Sequence, residues 1–352
     1  MENSLIVAQG TAEIQSAEQT FWAVVEEWLA ALREKDKKER TIGTYRYNMG
    51  VFKSWLDFEG ISQVTRRDIV NWKEDMKEKG LSVSTRNLYL ATVRSFYKWL
   101  ADEHAVDNIA IGIEGGKITR EHKRGFLSTE EMKRLLAVVE PETERRLAEL
   151  KIKSKNNCNR IKLQGKRDKA ILAALLTGGL RTIEISRLRI ADLIHNGGVC
   201  YLNVWGKGRE AGETETVKIS PKTESVIREW LNAREVVSLV SDESPLFCSL
   251  GNNSFGEPIT SLSVSRLCKE YLRAAGLKEK DYKEIGGKKK TKPITAHSLR
   301  GSCATNAFNN GATLDQVKQQ LRHANITTTM IYLEEAQKSK NPVSDLIADK
   351  IF

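Results

Sequence analysis

The sequence predicts a mainly α-helical protein with a small antiparallel β-sheet, divided into an N-terminal helical bundle and a larger mixed α/β unit. Three observations predict it. Apolar residues recur at helical spacing through most of the chain. One segment, residues 199–219, alternates apolar and polar residues on either side of a Gly-rich turn, as a β-hairpin does. Between the two parts, residues 109–125 lose every periodicity and carry paired glycines and cations, the composition of a linker. At 352 residues the chain is long enough for each part to bury its own core.

The elements follow in order. Residues 1–17 carry no helical stripe and are expected to be a flexible N-terminus ahead of a bundle over 18–108. Phe21, Val25, Trp28, Leu29 and Leu32 mark its first helix, and Ile42, Tyr45, Met49, Phe52 and Leu56 its second. Thr65 and Asp68 form a capping box that opens a third helix, which ends before Gly80. Tyr89, Val93, Phe96 and Leu100 mark a fourth, and Arg86, Arg94 and Lys98 lie on its exposed side. Such a charged strip suits a solvated face and a phosphate contact equally.

The second unit is expected over residues 126–340. Ser128 and Glu131 form another capping box at its start. Residues 141–166 are polar and strongly basic and read as a surface loop. Lys169 to Leu180 is a nearly continuous apolar helix, as a buried one would be, stopped by Gly178-Gly179. The hairpin then carries Lys207 near its tip. Helices return at 221–237, with Pro221 in the first helical position, and at 261–275. Gly286 to Pro293 reads as a loop bearing Lys288, Lys289 and Lys290. At the end, Asn341 and Pro342 open a short helix whose Val343, Leu346, Ile347 and Ile351 form one apolar stripe.

Composition narrows the class of partner. The net charge is +10. Residues 18–108 hold 15 basic and 15 acidic side chains, whereas 109–352 hold 41 and 29, so the excess belongs to the second unit. A polyanion is the natural partner, and DNA is the commonest. No apolar run approaches a membrane span, and the N-terminus lacks the basic start of a signal peptide. Five scattered cysteines without a C-x-x-C suggest thiols in a reducing cytoplasm, not disulfides or a metal site.

The chemistry concentrates in Thr295 to Leu333, TAHSLRGSCATNAFNNGATLDQVKQQLRHANITTTMIYL. His297 and Arg300 stand three apart, so a helix puts them on one face. His323 and Tyr332 follow. A fixed cation, two imidazoles and a phenol suit a nucleophilic tyrosine attacking a phosphodiester, with donors to hold its oxygens. No zinc-ligand spacing occurs in this stretch.

H-S-L-R at 297–300, L-R-H at 321–323 and M-I-Y at 330–332 resemble the second signature of the tyrosine recombinase (phage integrase) family. TGGLRTIEISRLRIADL, from Thr177 to Leu193, resembles its first. The resemblance runs from about residue 20 to about residue 335. It implies a core-binding domain that clamps DNA, followed by a tyrosine-recombinase catalytic domain, with residues 141–166 as an insertion. It also implies Tyr332 as nucleophile, Arg181 and Arg300 as the phosphate clamp, and His323 as a further donor. His297 is then an acid/base or only a donor, Lys207 the acid for the leaving 5′ oxygen, with Arg209 its nearby substitute, and Glu184 a buttress. Arg86, Arg94, Lys98, Lys288, Lys289 and Lys290 become candidate DNA contacts.

The expected reaction is cleavage and rejoining of DNA through a 3′-phosphotyrosine, without metal or other cofactor. The expected partners are double-stranded DNA with inverted-repeat half-sites, a dimer on each site and a homo-tetramer on two duplexes. An accessory DNA-bending or directionality protein is a further candidate. The C-terminal stripe is expected to dock in trans on a neighbouring protomer. About 17 residues precede the first predicted helix, too few for an arm-type DNA-binding domain, which favours short, simple sites. Integration or excision of a mobile element is the first reading. A Xer-type dimer resolvase is the alternative, followed by a type IB topoisomerase and a catalytically idle DNA-binding regulator. Two positions depart from the family: Gly301 stands where His often follows the second arginine, and Arg322 where Gly commonly precedes the second histidine.

Overall fold

Hydrophobic patterning of this kind closes two separate cores, and a computed structural model of the chain shows both. It describes residues 11–117, 125–150, 154–205, 214–235, 240–285 and 288–322, of which 11–19 and 280–292 by backbone alone. The chain divides into two units, Met1–Arg120 and Glu121–Phe352.

The first unit holds four helices: α1 (Thr11–Glu34), α2 (Glu39–Phe58), α3 (Arg66–Glu78) and α4 (Val83–His104). Each buries the stripe its sequence displays. Trp28, Phe52, Ile69, Trp72 and Val93 are essentially inaccessible, and each buried apolar side chain of this size contributes roughly 1.5–3 kcal/mol. Trp28 stacks on Tyr45, and Phe52 packs against Trp72 at 4.6 Å between ring centres. Asn48 donates to Thr92 across α2 and α4, so the one polar pair in this core is satisfied. Asp68 accepts from the Thr65 backbone N–H, closing the expected box.

Two boundaries differ from expectation. α1 begins at Thr11, inside the segment read as a flexible terminus. The segment read as linker is, through residue 117, part of the bundle: Ala110 and Ile113 are buried in its core, and Asn87 exchanges two 2.8 Å hydrogen bonds with the Gly116 backbone.

The second unit opens at Ser128, whose hydroxyl and backbone N–H both bond with Glu131 as a capping box requires. Helices α5 (Thr129–Ala137) and α6 (Val139–Ala148) lead to α7 (Lys155–Gly178), the central helix. Ala170 to Leu176 are buried all round it, as a helix apolar on every face must be. Most of the basic stretch read as a surface loop is therefore helical, residues 141–148 in α6 and 155–166 in the first half of α7. It is helical because Ile161, Leu163 and Gly165 turn to the core while Lys155, Lys162 and Lys166 stay in solvent. Gly165 allows α6 to press close: a Cβ there would lie 2.4 Å from the Thr143 hydroxyl.

After α8 (Thr182–Arg187) come three antiparallel strands, β1 (Leu193–Asn196), β2 (Val199–Trp205) and β3 (Thr214–Ile219), in spatial order 1-2-3. β2 and β3 form the expected hairpin. β1 adds a strand that the alternation did not reveal, turned into β2 by Gly197 and Gly198, both at positive φ. Helices α9 (Pro221–Glu235) and α10 (Ser261–Ala274) match expectation within two residues at each end. A second hairpin, β4 (Glu279–Ile285) with β5 (Lys288–Pro293), replaces the loop expected at Gly286–Pro293. The described chain ends with α11 (Ala296–Asn309) and α12 (Leu314–Leu321). No helix among the described residues is long and apolar enough to cross a membrane.

Candidate active site

The site is assembled where the ends of α7, α11 and α12 meet. α7 stops at Gly179, which adopts φ +63, and any side chain there would strike Leu321 of α12 at 2.5 Å. Glycine is thus needed twice, for conformation and for space. Two residues on, Arg181 occupies the N-cap of α8. Its backbone N–H donates to Glu184 at 2.8 Å, and its guanidinium donates to the other oxygen of the same carboxylate at 2.7 Å. Glu184 is fully buried, whereas 28% of the Arg181 side chain is exposed, so the cation faces outward from a fixed base.

α11 supplies the second part. It is anchored by Ser302, which accepts from the Leu127 backbone N–H, and by Asn306, which donates to the Leu127 carbonyl. His297 lies exposed in its first turn, and Arg300, one turn on, is buried. The Arg300 fork donates to the Gly179 carbonyl at 2.5 Å and to the Leu321 carbonyl. One guanidinium thereby ties the end of α7 to the end of α12, and each terminal nitrogen carries a second N–H.

Arg322 closes the arrangement. It sits at the C-cap of α12 in the left-handed region, φ +54, a conformation that favours glycine. Its guanidinium donates to Glu184 at 2.6 Å and to the Gln320 carbonyl at 2.8 Å, and only 3% of the side chain is exposed. Burial lowers its proton affinity below the ordinary arginine value; Glu184 opposes this and Arg181 adds to it. Burial likewise pushes the nearby Cys303 thiol up to about 11, with Arg300 and Arg322 pulling the other way. A carboxylate shared by two guanidiniums in a water-excluded place is well matched, and removing one partner of such a buried pair costs about 3–5 kcal/mol.

Of the residues singled out in the sequence, the structure pairs Arg181 with Glu184 and ties Arg300 to the carbonyl of Gly179, two residues before Arg181. His297 stands on the helix that carries Arg300. Lys207, with its substitute Arg209, and also His323, Tyr332 and the C-terminal stripe lie outside the described residues. Lys288, Lys289 and Lys290 fall on β5, where only the backbone is described. Arg94 and Lys98 are exposed on α4 as expected. Arg86 is not: it is half-buried, and its Nε has no hydrogen-bond partner among the described residues.

Sequence reasoning registered Arg322 only as a departure; the signal was its place at the end of a helix, where a cation is favoured. The departure at Gly301 has a cause as well. A Cβ there would lie 2.2 Å from the Phe126 ring, so Phe126 fills the space a larger side chain would need.

Among the described residues, one group has metal-type donor atoms within 4.8 Å of one another: His195, Cys200 and Glu224. β-pairing sets His195 opposite Cys200. Arg228 already holds that place, donating to the Glu224 oxygen at 2.7 Å and standing 3.1 Å from His195 Nε2.

Comparison with known proteins identifies the family and the fold. The phage integrase family model matches residues 126–339, and the phage integrase N-terminal SAM-like domain matches 25–104. Tyrosine recombinase XerD of Staphylococcus saprophyticus is 25% identical over 314 residues, which is 88% of this chain and 92% of the relative. Tyrosine recombinase XerA of Pyrococcus furiosus is 27% identical over 331 residues, 92% of this chain and 96% of the relative. Among solved structures, the XerH site-specific recombinase in a post-cleavage complex with palindromic difH substrate superimposes with a TM-score of 0.63 at 20% identity. It covers 88% of this chain and 80% of its own. A lambda integrase (75–356) dimer bound to a COC′ core site gives a TM-score of 0.60 at 15% identity, covering 87% and 96%. These superpositions establish the fold, and the family model spans most of the second unit together with its signature residues. The chain belongs to the phage integrase family, the tyrosine recombinases.

Proposed function

We propose that the chain is a site-specific DNA recombinase that cleaves and rejoins DNA through a 3′-phosphotyrosine and integrates or excises a mobile element. The observation that carries this reading is the Arg181–Glu184 pair held against Arg300 through the Gly179 turn. Two guanidiniums stand on one rigid base, with the family's His and Tyr following in order.

The Tyr332 oxygen attacks the scissile phosphorus and the bond to the 5′ oxygen breaks. The phenolic proton passes to His297, and Lys207 supplies a proton to the departing 5′ oxygen. Arg181 and Arg300 neutralise charge on the non-bridging oxygens, with His323 as a further donor. The phosphotyrosyl ester keeps the energy of the broken bond, so a second DNA end is joined without a nucleotide cofactor. The first unit acts as the DNA clamp, presenting Arg94 and Lys98 to phosphates, while Lys288, Lys289 and Lys290 serve the second.

The DNA carries inverted half-sites, a dimer fills each site, and four protomers hold two duplexes. A lambda integrase tetramer bound to a Holliday junction, of the same fold, supports this assembly. The apolar stripe of residues 343–352 docks on a neighbouring protomer. Deleting it should abolish cooperative filling of paired half-sites; retained cooperativity removes the tail from this reading.

The test of the chemistry is Tyr332→Phe on a nicked suicide duplex, its site selected from random sequence by the intact protein. The variant should bind within a few-fold of the parent, since phosphate contacts dominate the interface. It should form no covalent adduct on a denaturing gel. A persistent adduct moves the nucleophile elsewhere. A second reading, a Xer-type resolvase of chromosome or plasmid dimers, is favoured by the nearly full-length match to XerD and XerA. Resolution of a plasmid dimer, without capture of a second element, would select it.

A further inference from the structure

We propose that Arg322 is a positioning residue of this site: from the end of α12 it takes one oxygen of the buried Glu184 carboxylate and so fixes the outward stance of Arg181. The inference rests on the proposed role of Arg181 at the phosphate and adds a residue to it.

The geometry is specific. Glu184 has two oxygens and three donors. Arg181 Nη1 takes Oε1 at 2.7 Å, while the Arg181 backbone N–H and Arg322 Nη2 share Oε2 at 2.8 and 2.6 Å. The exposures rank the roles: Glu184 0%, Arg322 3%, Arg181 28%. Arg322 is sealed in and spends its fork on Glu184 and the Gln320 carbonyl, so its one ionic contact among the described residues is with the carboxylate that also holds Arg181. Arg181 is the one open to solvent.

The backbone adds a second argument. Arg322 holds φ +54, where an ordinary side chain costs energy that glycine avoids. A bulky residue kept there must return something through its side chain, and the Glu184 bond is what it makes. With Arg322 removed, a carboxylate closed off from water would keep Arg181 as its only guanidinium partner. Arg181 would then be drawn inward. Arg322 further couples α12, which leads directly into His323, to α8, so the two sides of the site move as one piece.

The experiment uses the full chain and the selected nicked duplex. Arg322→Gly relieves the backbone strain and deletes the Glu184 contact; Arg322→Lys keeps the charge without the fork. Single-turnover adduct formation should slow by roughly 10- to 100-fold in Arg322→Gly, the usual loss when a supporting partner behind a functional group is removed. Arg322→Lys should recover part of that rate, and duplex binding should stay within about threefold of the parent. The loss should also be non-additive with Arg181→Lys, the double variant cleaving no slower than Arg181→Lys alone.

An Arg322→Gly protein that cleaves at the parent rate overturns the inference, as does a loss that adds fully to that of Arg181→Lys. Should Arg322→Gly not fold, the double variant with Glu184→Gln removes the stranded charge. That variant must then be slow, and parental speed in it also refutes the inference. A parent chain that forms no adduct overturns the proposed function, and this inference with it.

Discussion

Gly179→Ala tests whether the Gly-Gly stop of α7 exists for the site or merely ends a helix. Two costs follow from the structure. Holding a side-chain-bearing residue at φ +63 costs about 1–2 kcal/mol. The new methyl would stand 2.5 Å from the Leu321 side chain, well inside an ordinary carbon contact, and forcing extra volume into a packed place costs roughly 1–3 kcal/mol. Together these give about 2–5 kcal/mol. In a unit of this length each kcal/mol lowers the melting temperature by roughly 2–4 °C, so a fall of about 4–20 °C is expected. The control is Gly197→Ala, also at positive φ, where a methyl would meet nothing within 4 Å. It should show the strain alone. Thermal unfolding of the two variants separates the effects, and single-turnover cleavage then reports whether moving Leu321 disturbs the Arg300 tie. Equal melting losses in both variants would refute the claim that Gly179 is kept for the approach of α12.

Other outcomes follow from the same packing. Gly301→Ala should destabilise by roughly 1–3 kcal/mol, because its methyl meets the Phe126 ring at 2.2 Å. Combining it with Phe126→Ala should cost less than the two single losses added, and chemical denaturation checks the coupling. Four of the five thiols should resist alkylation of the native chain at pH 8, with Cys158 reacting first as the one cysteine that is not buried. Burial pushes Cys200 and Cys303 up to about 11 and Cys268 to about 12, so little thiolate forms at that pH. Mass spectrometry that finds two thiols modified at equal rates would contradict this.

The sequence by itself determined most of the helices and the family. Periodic stripes and capping boxes are local signals, set by residues three and four apart, which is why Thr65–Asp68 and Ser128–Glu131 opened the helices they promised. Arg181, Glu184 and Arg300 were legible for a related reason: their spacing within short motifs survives unfolding of the chain. What failed were segments whose structure depends on a distant neighbour. The basic run ahead of Lys169 reads as loop because its few apolar residues make no stripe; it is helix because Gly165 lets α6 close on it. β1 is four residues long and acquires meaning only when β2 pairs with it. Lys288 to Pro293 looks like a solvated loop until β4 supplies a partner strand.

At the site, only the tertiary structure decided that Arg322 reaches Glu184 across 138 positions, that Arg300 joins the ends of α7 and α12, and that Phe126 fills the space above Gly301. Those contacts join residues far apart in sequence, and their cost or benefit exists only once burial has removed the water between them.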